Sequence, residues 1–157
     1  MNAELSRTSV VELCQKLLTY RQECETWTYK LFLIAGDSTQ KDCAVKLWQD
    51  HVRGVVELEM LLAAQGGKCT TLGFFGVHVR GEEELSLADL VQHAYEKEVA
   101  LSQAYETALK GTWPVNVRYL LERHVAQTHR NSQCLSQCFR NAIDPLWAAN
   151  ASALLSA

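Results

Sequence analysis

Apolar residues recur every three or four positions along four long segments of this chain, and that spacing constrains its fold more than any other feature. The first series runs from Val10 to Ile34, and residues so spaced share one face of a helix. Only two prolines occur, Pro114 and Pro145, and both fall at predicted helix boundaries. The pattern predicts an all-α protein with helices over about 9–35, 39–65, 86–110 and 114–141.

Local signals mark the ends of these helices. Ser9 and Ser86 each open a pattern in which an acidic residue follows three positions later, as in a capping box. Gly66-Gly67 is a strong stop for the second helix. The glycine-rich stretch that follows spans roughly 20 residues, which is long for a turn between packed helices. We therefore predict a four-helix bundle with a long crossover between helices 2 and 3, followed by a short C-terminal tail or helix.

Length and composition limit the classes of protein that this chain can belong to. With 157 residues, one domain over 1–157 is expected. The net charge of −3 argues against a nucleic-acid binder, which would present a basic face. No apolar run reaches the roughly 18 residues of a membrane span. The start of the chain lacks the form of a signal peptide, so we expect a cytoplasmic location without membrane association.

Three ionisable residues interrupt the apolar faces of three predicted helices. His51, Glu98 and His124 each have apolar or small neighbours one turn away, so each is predicted to face the core. Burying such groups is costly unless they pair or bind a metal. Counting residues from the predicted turns places all three near the middle of the bundle. Cys24 of the first helix falls at a similar height, with Glu23 beside it.

These positions indicate a candidate metal site in the bundle core. The candidate ligands are His51, Glu98 and His124, with Cys24, Tyr20 or Glu23 from the first helix. Two histidines and a carboxylate suit Zn²⁺ or non-haem iron. The competing interpretation is a polar network that satisfies itself through hydrogen bonds and holds no metal.

Six cysteines are more than a helical core needs, and no CxxC motif occurs. Without a secretion signal, a disulfide framework is not expected. Cys134 and Cys138 are four residues apart and stack on one helix face. Such a pair can hold a soft metal such as Cu(I), although two small, partly buried helix residues explain the same spacing.

Three stretches of the chain carry a more specific pattern, namely YRQECETW, KLWQDHVRGVVELEMLLAAQGGK and HAYEKEVALSQAYETALKGTWPVNVRYLLERH. Together they resemble a bacterial family of ferritin-like four-helix proteins known only as a domain of unknown function. The resemblance covers roughly residues 10–141 and implies a ferritin-like bundle. Within that superfamily, di-iron proteins use one Glu from each of two helices and Glu-x-x-His from each of the other two.

The ligand motifs of the di-iron proteins are incomplete in this chain. The second helix offers Asp50-x-x-Arg53 in place of Glu-x-x-His, and the fourth offers Glu122-Arg-His124. Glu98 matches the carboxylate of the third helix, and Glu23 or Glu25 matches that of the first. The resemblance therefore implies a degenerate or altered metal site.

Taken together, the sequence predicts a stress- or metal-associated ferritin-like bundle that binds a metal ion in its core, with zinc or iron as the candidates. One alternative is a helical protein-interaction or structural module without metal. A second alternative is a di-metal oxidase-like enzyme, and the sequence does not decide whether the protein is an enzyme. A homo-oligomer such as a dimer, or a complex with another protein, is expected because bundles of this size often pair through a helix face.

Overall fold

The computed structural model describes residues 3–68 and 85–140, with side chains from residue 9 onwards. These residues form four helices and no strand: α1 Ala3–Ile34, α2 Ser38–Ala64, α3 Leu87–Leu109 and α4 Val115–Cys138. The predicted all-α four-helix bundle is confirmed, and the architecture is compatible with a ferritin-like fold.

Helix ends follow the predicted signals in some places and depart from them in others. At α3, Ser86 Oγ accepts from the backbone N–H of Asp89 at 3.1 Å, as the capping pattern predicted. At α2 the cap is Asp37, whose carboxylate accepts from the Gln40 N–H at 2.8 Å. Helix α1 begins at Ala3, six residues before the predicted start at Ser9. Ser9 is exposed, so its hydroxyl costs little inside a helix, and no glycine or proline precedes it to stop the helix.

The packing order of the helices sets the topology. α1 packs on α2 and α3, and α4 packs on the same two helices. The C-terminal end of α1 lies with the N-terminal ends of α2 and α3 and with the C-terminal end of α4. Helices α2 and α3 are therefore parallel, and the chain between them connects opposite ends of the bundle. This is the topology that the long crossover predicted.

The apolar core has two halves, one at each end of the bundle. The first, called the Leu47 half, is formed by buried residues of all four helices. They lie within 31–35, 43–47, 90–95 and 135–139. The second, called the Leu58 half, takes residues from the other end of every helix, among them Leu17, Leu58 and Leu121. Between the two halves, each helix contributes polar side chains to the interior.

Several predicted features lie outside the described residues. They are most of the crossover, with Cys69, and the chain after Arg140, where the apolar tail was predicted. In the part of the chain that is described, no helix is both long enough and apolar enough to cross a membrane.

Candidate metal centre in a buried polar layer

A layer of polar side chains lies across the middle of the bundle, between the Leu47 and Leu58 halves. All four helices contribute to it, and its members are almost inaccessible to solvent. They include Arg21 and Thr28 from α1, His51 from α2, Glu98 and Ser102 from α3, and His124, Thr128, Asn131 and Ser132 from α4. A layer of this kind is costly unless its members pair with one another.

Arg21 is the centre of this layer, and its side chain is 0% exposed. Its Nε donates to the hydroxyl of Tyr105 at 3.0 Å. One terminal nitrogen, Nη1, lies 2.9 Å from Nδ1 of His51, and the other, Nη2, donates to Oε1 of Gln127 at 3.0 Å. A guanidinium can only donate hydrogen bonds, so each of these partners must accept. Arg21 therefore joins the other three helices through a single side chain.

The first arm of the network runs from Arg21 through His51 to Glu98. Because Arg21 donates to Nδ1 of His51, that nitrogen carries no proton, and the proton of the neutral ring sits on Nε2. Nε2 then donates to Oε2 of Glu98 at 2.7 Å. The other oxygen of Glu98 accepts from Nδ2 of Asn131 at 3.1 Å. Both carboxylate oxygens are thus held, and the charge of Glu98 balances that of Arg21.

The second arm runs from Arg21 through Tyr105 and His124 to Glu57. The Tyr105 hydroxyl accepts from Arg21 and donates to Nδ1 of His124 at 2.8 Å. Nε2 of His124 lies 3.3 Å from Oε2 of Glu57. The two carboxylate oxygens of Glu57 also form a bidentate pair with Arg123 at the surface. Burial, reinforced by the charge of Arg21, lowers the pKa of His124 to about 3, so the ring is neutral at pH 7.

A group of side chains that could hold a metal ion includes two members of the first arm, His51 and Glu98. The ligand atoms of Cys24, His51 and Glu98 all lie within 4.8 Å of one another, and all three residues are buried. Cys24 belongs to α1, His51 to α2 and Glu98 to α3, so three helices converge on one point. Burial, with the nearby charge of Glu98, raises the pKa of the Cys24 thiol well above its usual value. Without a metal this thiol is therefore protonated.

The structure brings together three of the predicted ligands, Cys24, His51 and Glu98. Tyr20 is only partly buried and packs against the Leu58 half. Glu23 is directed away from the others and pairs with Lys97 at 2.9 Å on the surface. Successive helical residues point about 100° apart, and with Cys24 directed into the core Glu23 stays at the surface. His124 is buried as predicted, but Arg21 and Tyr105 connect it to His51 through hydrogen bonds, and it belongs to the second arm.

Arg21 was not predicted from the sequence, although one signal indicated it. The pattern of α1 favours Tyr20 as the inward residue, because an arginine in a core is rare. Gly54 lies in the middle of α2, where glycine lowers helix stability. A Cβ placed on Gly54 would lie 2.6 Å from Cζ of Arg21. A glycine inside a helix without a capping role indicates close approach of another group, and here that group is the buried guanidinium.

The donor set around the core group differs from that of a di-metal oxidase. Such enzymes use four carboxylates and two histidines. Among the described residues, the group that can hold an ion in this layer contains one carboxylate, one histidine and one thiol. The second carboxylate of the network, Glu57, is engaged by Arg123 in the other arm.

Comparisons with protein-family models and with curated proteins find no match to this sequence. The resemblance to ferritin-like proteins thus depends on the sequence stretches given above and on the shared bundle architecture.

Proposed function

We propose that this protein is a metal-binding helical bundle whose core site is formed by Cys24 Sγ, His51 Nε2 and the carboxylate of Glu98. The observation that carries the proposal is the convergence of these three ligand atoms within 4.8 Å, in the buried layer, from three different helices. Isolated ionisable residues are rarely buried, and a thiolate, an imidazole and a carboxylate are each ligands that zinc takes in proteins.

The donor chemistry favours zinc over iron. The prediction of zinc or iron depended on two histidines with a carboxylate, and His124 lies in the other arm of the network. A thiolate, an imidazole and a carboxylate match the borderline-soft character of Zn²⁺. Three protein ligands leave a fourth position for water or an exogenous ligand, and a bound zinc ion would act there as a Lewis acid.

Metal binding at this site must compete with the hydrogen bond from Arg21. A neutral imidazole that binds a metal through Nε2 carries its proton on Nδ1, where it would face the Nη1 donor of Arg21. Arg21 must therefore release His51 when the ion binds. Losing one charge-assisted hydrogen bond costs about 1.5–3 kcal/mol. Structural zinc binding contributes about 10–16 kcal/mol in small peptides, so the cost weakens the site without abolishing it.

A second candidate function is supported by the same hydrogen bonds. Arg21 donates to His51 and Tyr105, His51 pairs with Glu98, and Tyr105 pairs with His124, so the network is satisfied with no ion present. In that case the polar layer fixes the relative height of the four helices, because any slip breaks buried hydrogen bonds. The protein would then be a structural or interaction module.

Metal titration of three variants separates these two functions. The titrations use Co²⁺ as a spectroscopic substitute for zinc, in a background in which Cys43, Cys134 and Cys138 are alanine. We expect an absorption band from thiolate-to-metal charge transfer that disappears in Cys24→Ala. We also expect tighter binding in Arg21→Met, because that change removes a buried positive charge and frees Nδ1 of His51.

The control for this experiment is His124→Asn, which alters the second arm and leaves the three ligands in place. The titrations are interpreted only for variants that retain helical circular dichroism. If the parent protein binds no Co²⁺ or Zn²⁺ and Arg21→Met lowers stability without creating affinity, the layer is a structural network. Equal binding by the parent and by Cys24→Ala would also contradict the proposed site.

We also propose that the protein self-associates through the face formed by α2 and α4. Met60 is 68% exposed and Tyr119 is 65% exposed, and Val56 and Val115 lie one turn from them on the same helices. Large apolar side chains exposed on two adjacent helices are typical of protein interfaces. Sedimentation equilibrium should show a dimer that Met60→Glu converts to a monomer; a monomeric parent protein would contradict this proposal.

A further inference from the structure

Three cysteines meet near the N-terminal end of α2, within the Leu47 half of the core. Cys43 comes from the start of α2, and Cys134 and Cys138 come from the last two turns of α4. The sulfurs of Cys43 and Cys134 are 2.7 Å apart, and those of Cys134 and Cys138 are 3.8 Å apart. All three sulfurs lie within 4.8 Å of one another.

We infer that Cys43, Cys134 and Cys138 form a second metal site, a three-sulfur site for a soft ion, and that Cu(I) is the ion it fits best. This site is distinct from the polar layer, because it uses none of the residues of either arm. It extends the predicted stacking of Cys134 and Cys138 by a third ligand from another helix, which the sequence did not indicate.

The spacing of the sulfurs fits a three-coordinate ion. With metal–sulfur bonds of about 2.3 Å, the sulfurs of a planar three-coordinate site lie about 4.0 Å apart. The Cys134–Cys138 distance of 3.8 Å already matches this value. Cys43 must withdraw from Cys134 by roughly 1 Å, which rotation of its side chain about Cα–Cβ can provide.

Cysteine binds a metal ion as the thiolate. Binding of Cu(I) to all three sulfurs therefore displaces the thiol protons to solvent, so affinity should rise with pH.

The surroundings of the cluster suit an exchangeable ion. Cys43 is 5% exposed, whereas Cys134 and Cys138 are only partly buried. An incoming ion can therefore reach the sulfurs of α4 first and take Cys43 as its third ligand afterwards. Among the described residues, no histidine or carboxylate belongs to this group. Zinc, which prefers four ligands, would have to complete its shell with water, whereas Cu(I) is satisfied by three sulfurs.

The test is a Cu(I) titration under argon, in competition with a chromogenic Cu(I) chelator. The parent for this titration carries Cys14→Ala, Cys24→Ala and Cys69→Ala, so that the proposed cluster holds all the remaining thiols. We expect one Cu(I) per chain, with near-ultraviolet charge-transfer absorption. Cys43→Ser should weaken binding by at least about 100-fold, since it removes one of the three ligands.

Two further measurements keep the inference open to refutation. In wild-type protein loaded with one Cu(I), X-ray absorption should show three sulfur neighbours; two sulfurs, or a shell containing nitrogen, would overturn the assignment. Competition by Zn²⁺ at equal concentration should not displace Cu(I), and displacement would contradict the choice of ion. Unchanged affinity in Cys43→Ser, with native circular dichroism, would show that α2 contributes no ligand. The parent for this titration lacks Cys24 and therefore lacks the proposed core site. A failure to find metal at the core site would leave the Cu(I) result unaffected.

Discussion

Replacing Gly54 by alanine tests whether the buried guanidinium of Arg21 is held rigidly. In a helix interior this substitution ordinarily stabilises a protein by about 1 kcal/mol, because alanine has the higher helix propensity. Here the new Cβ would lie 2.6 Å from Cζ and 2.7 Å from Nε of Arg21. Carbon atoms in contact are about 3.5–4.0 Å apart, so the guanidinium would have to retreat by about 1 Å.

The expected cost follows from the hydrogen bonds of Arg21. Its three bonds are 2.9–3.0 Å long, and a displacement of about 1 Å away from α2 takes the bond to His51 beyond bonding distance. A hydrogen bond to a charged group contributes about 1.5–3 kcal/mol, so the loss of this one costs about that much. After the gain in helix propensity, Gly54→Ala should lower the free energy of unfolding by about 0.5–2 kcal/mol.

Urea denaturation at pH 7 measures this change, and a double-mutant cycle isolates its cause. In an Arg21→Met background the side chain has no hydrogen bonds to lose, so Gly54→Ala should be neutral or stabilising by about 1 kcal/mol. Stabilisation of the wild-type protein by Gly54→Ala would refute the reasoning, because it would mean that Arg21 moves aside freely.

Two further predictions concern the second arm of the network. Tyr105→Phe removes a hydroxyl that is hydrogen-bonded to both Arg21 and His124. In urea denaturation it should lower the free energy of unfolding by about 2–4 kcal/mol. The control Tyr119→Phe, at the exposed surface, should change the free energy of unfolding by less than about 0.5 kcal/mol. Equal effects of the two changes would contradict the network. Burial lowers the pKa of His124 to about 3, from about 6.5 in the unfolded chain. Between these two pH values the unfolded state binds a proton that the folded state does not. The free energy of unfolding should therefore fall by up to about 1.4 kcal/mol per pH unit as the pH drops through this range. Burial raises the pKa of Glu25 to about 7, which gives the opposite slope above pH 4.5. Urea midpoints should therefore be compared from pH 4.5 to 6.5 in a Glu25→Gln background, where His124→Asn should reduce the slope. An unchanged slope in that variant would assign the titration to another group.

The sequence by itself determined the number of helices, most of their ends and the positions at which ionisable groups enter the core. These features are local, because helical periodicity is set by residues three and four apart and helix caps by residues within one turn. His51, Glu98 and His124 were predicted to face inwards on this basis, and all three are buried. The start of α1 was predicted six residues too late, because a capping pattern is a weak signal that helix propagation can override.

Only the tertiary structure decided which inward groups meet. The rotation of α1 about its axis places Arg21 and Cys24 in the interior and leaves Glu23 at the surface. The mixed polar and apolar pattern of α1 does not specify which of two neighbouring residues faces inwards. The same rotation places Arg21 between the two histidines, so that they belong to different arms of one network. Cys43 and Cys134 are 91 residues apart in the chain, and their sulfurs meet only because α2 packs against α4. Periodicity specifies the face on which a side chain lies, whereas the partners on that face depend on the rotation and height of each helix, which the packing of the whole bundle determines.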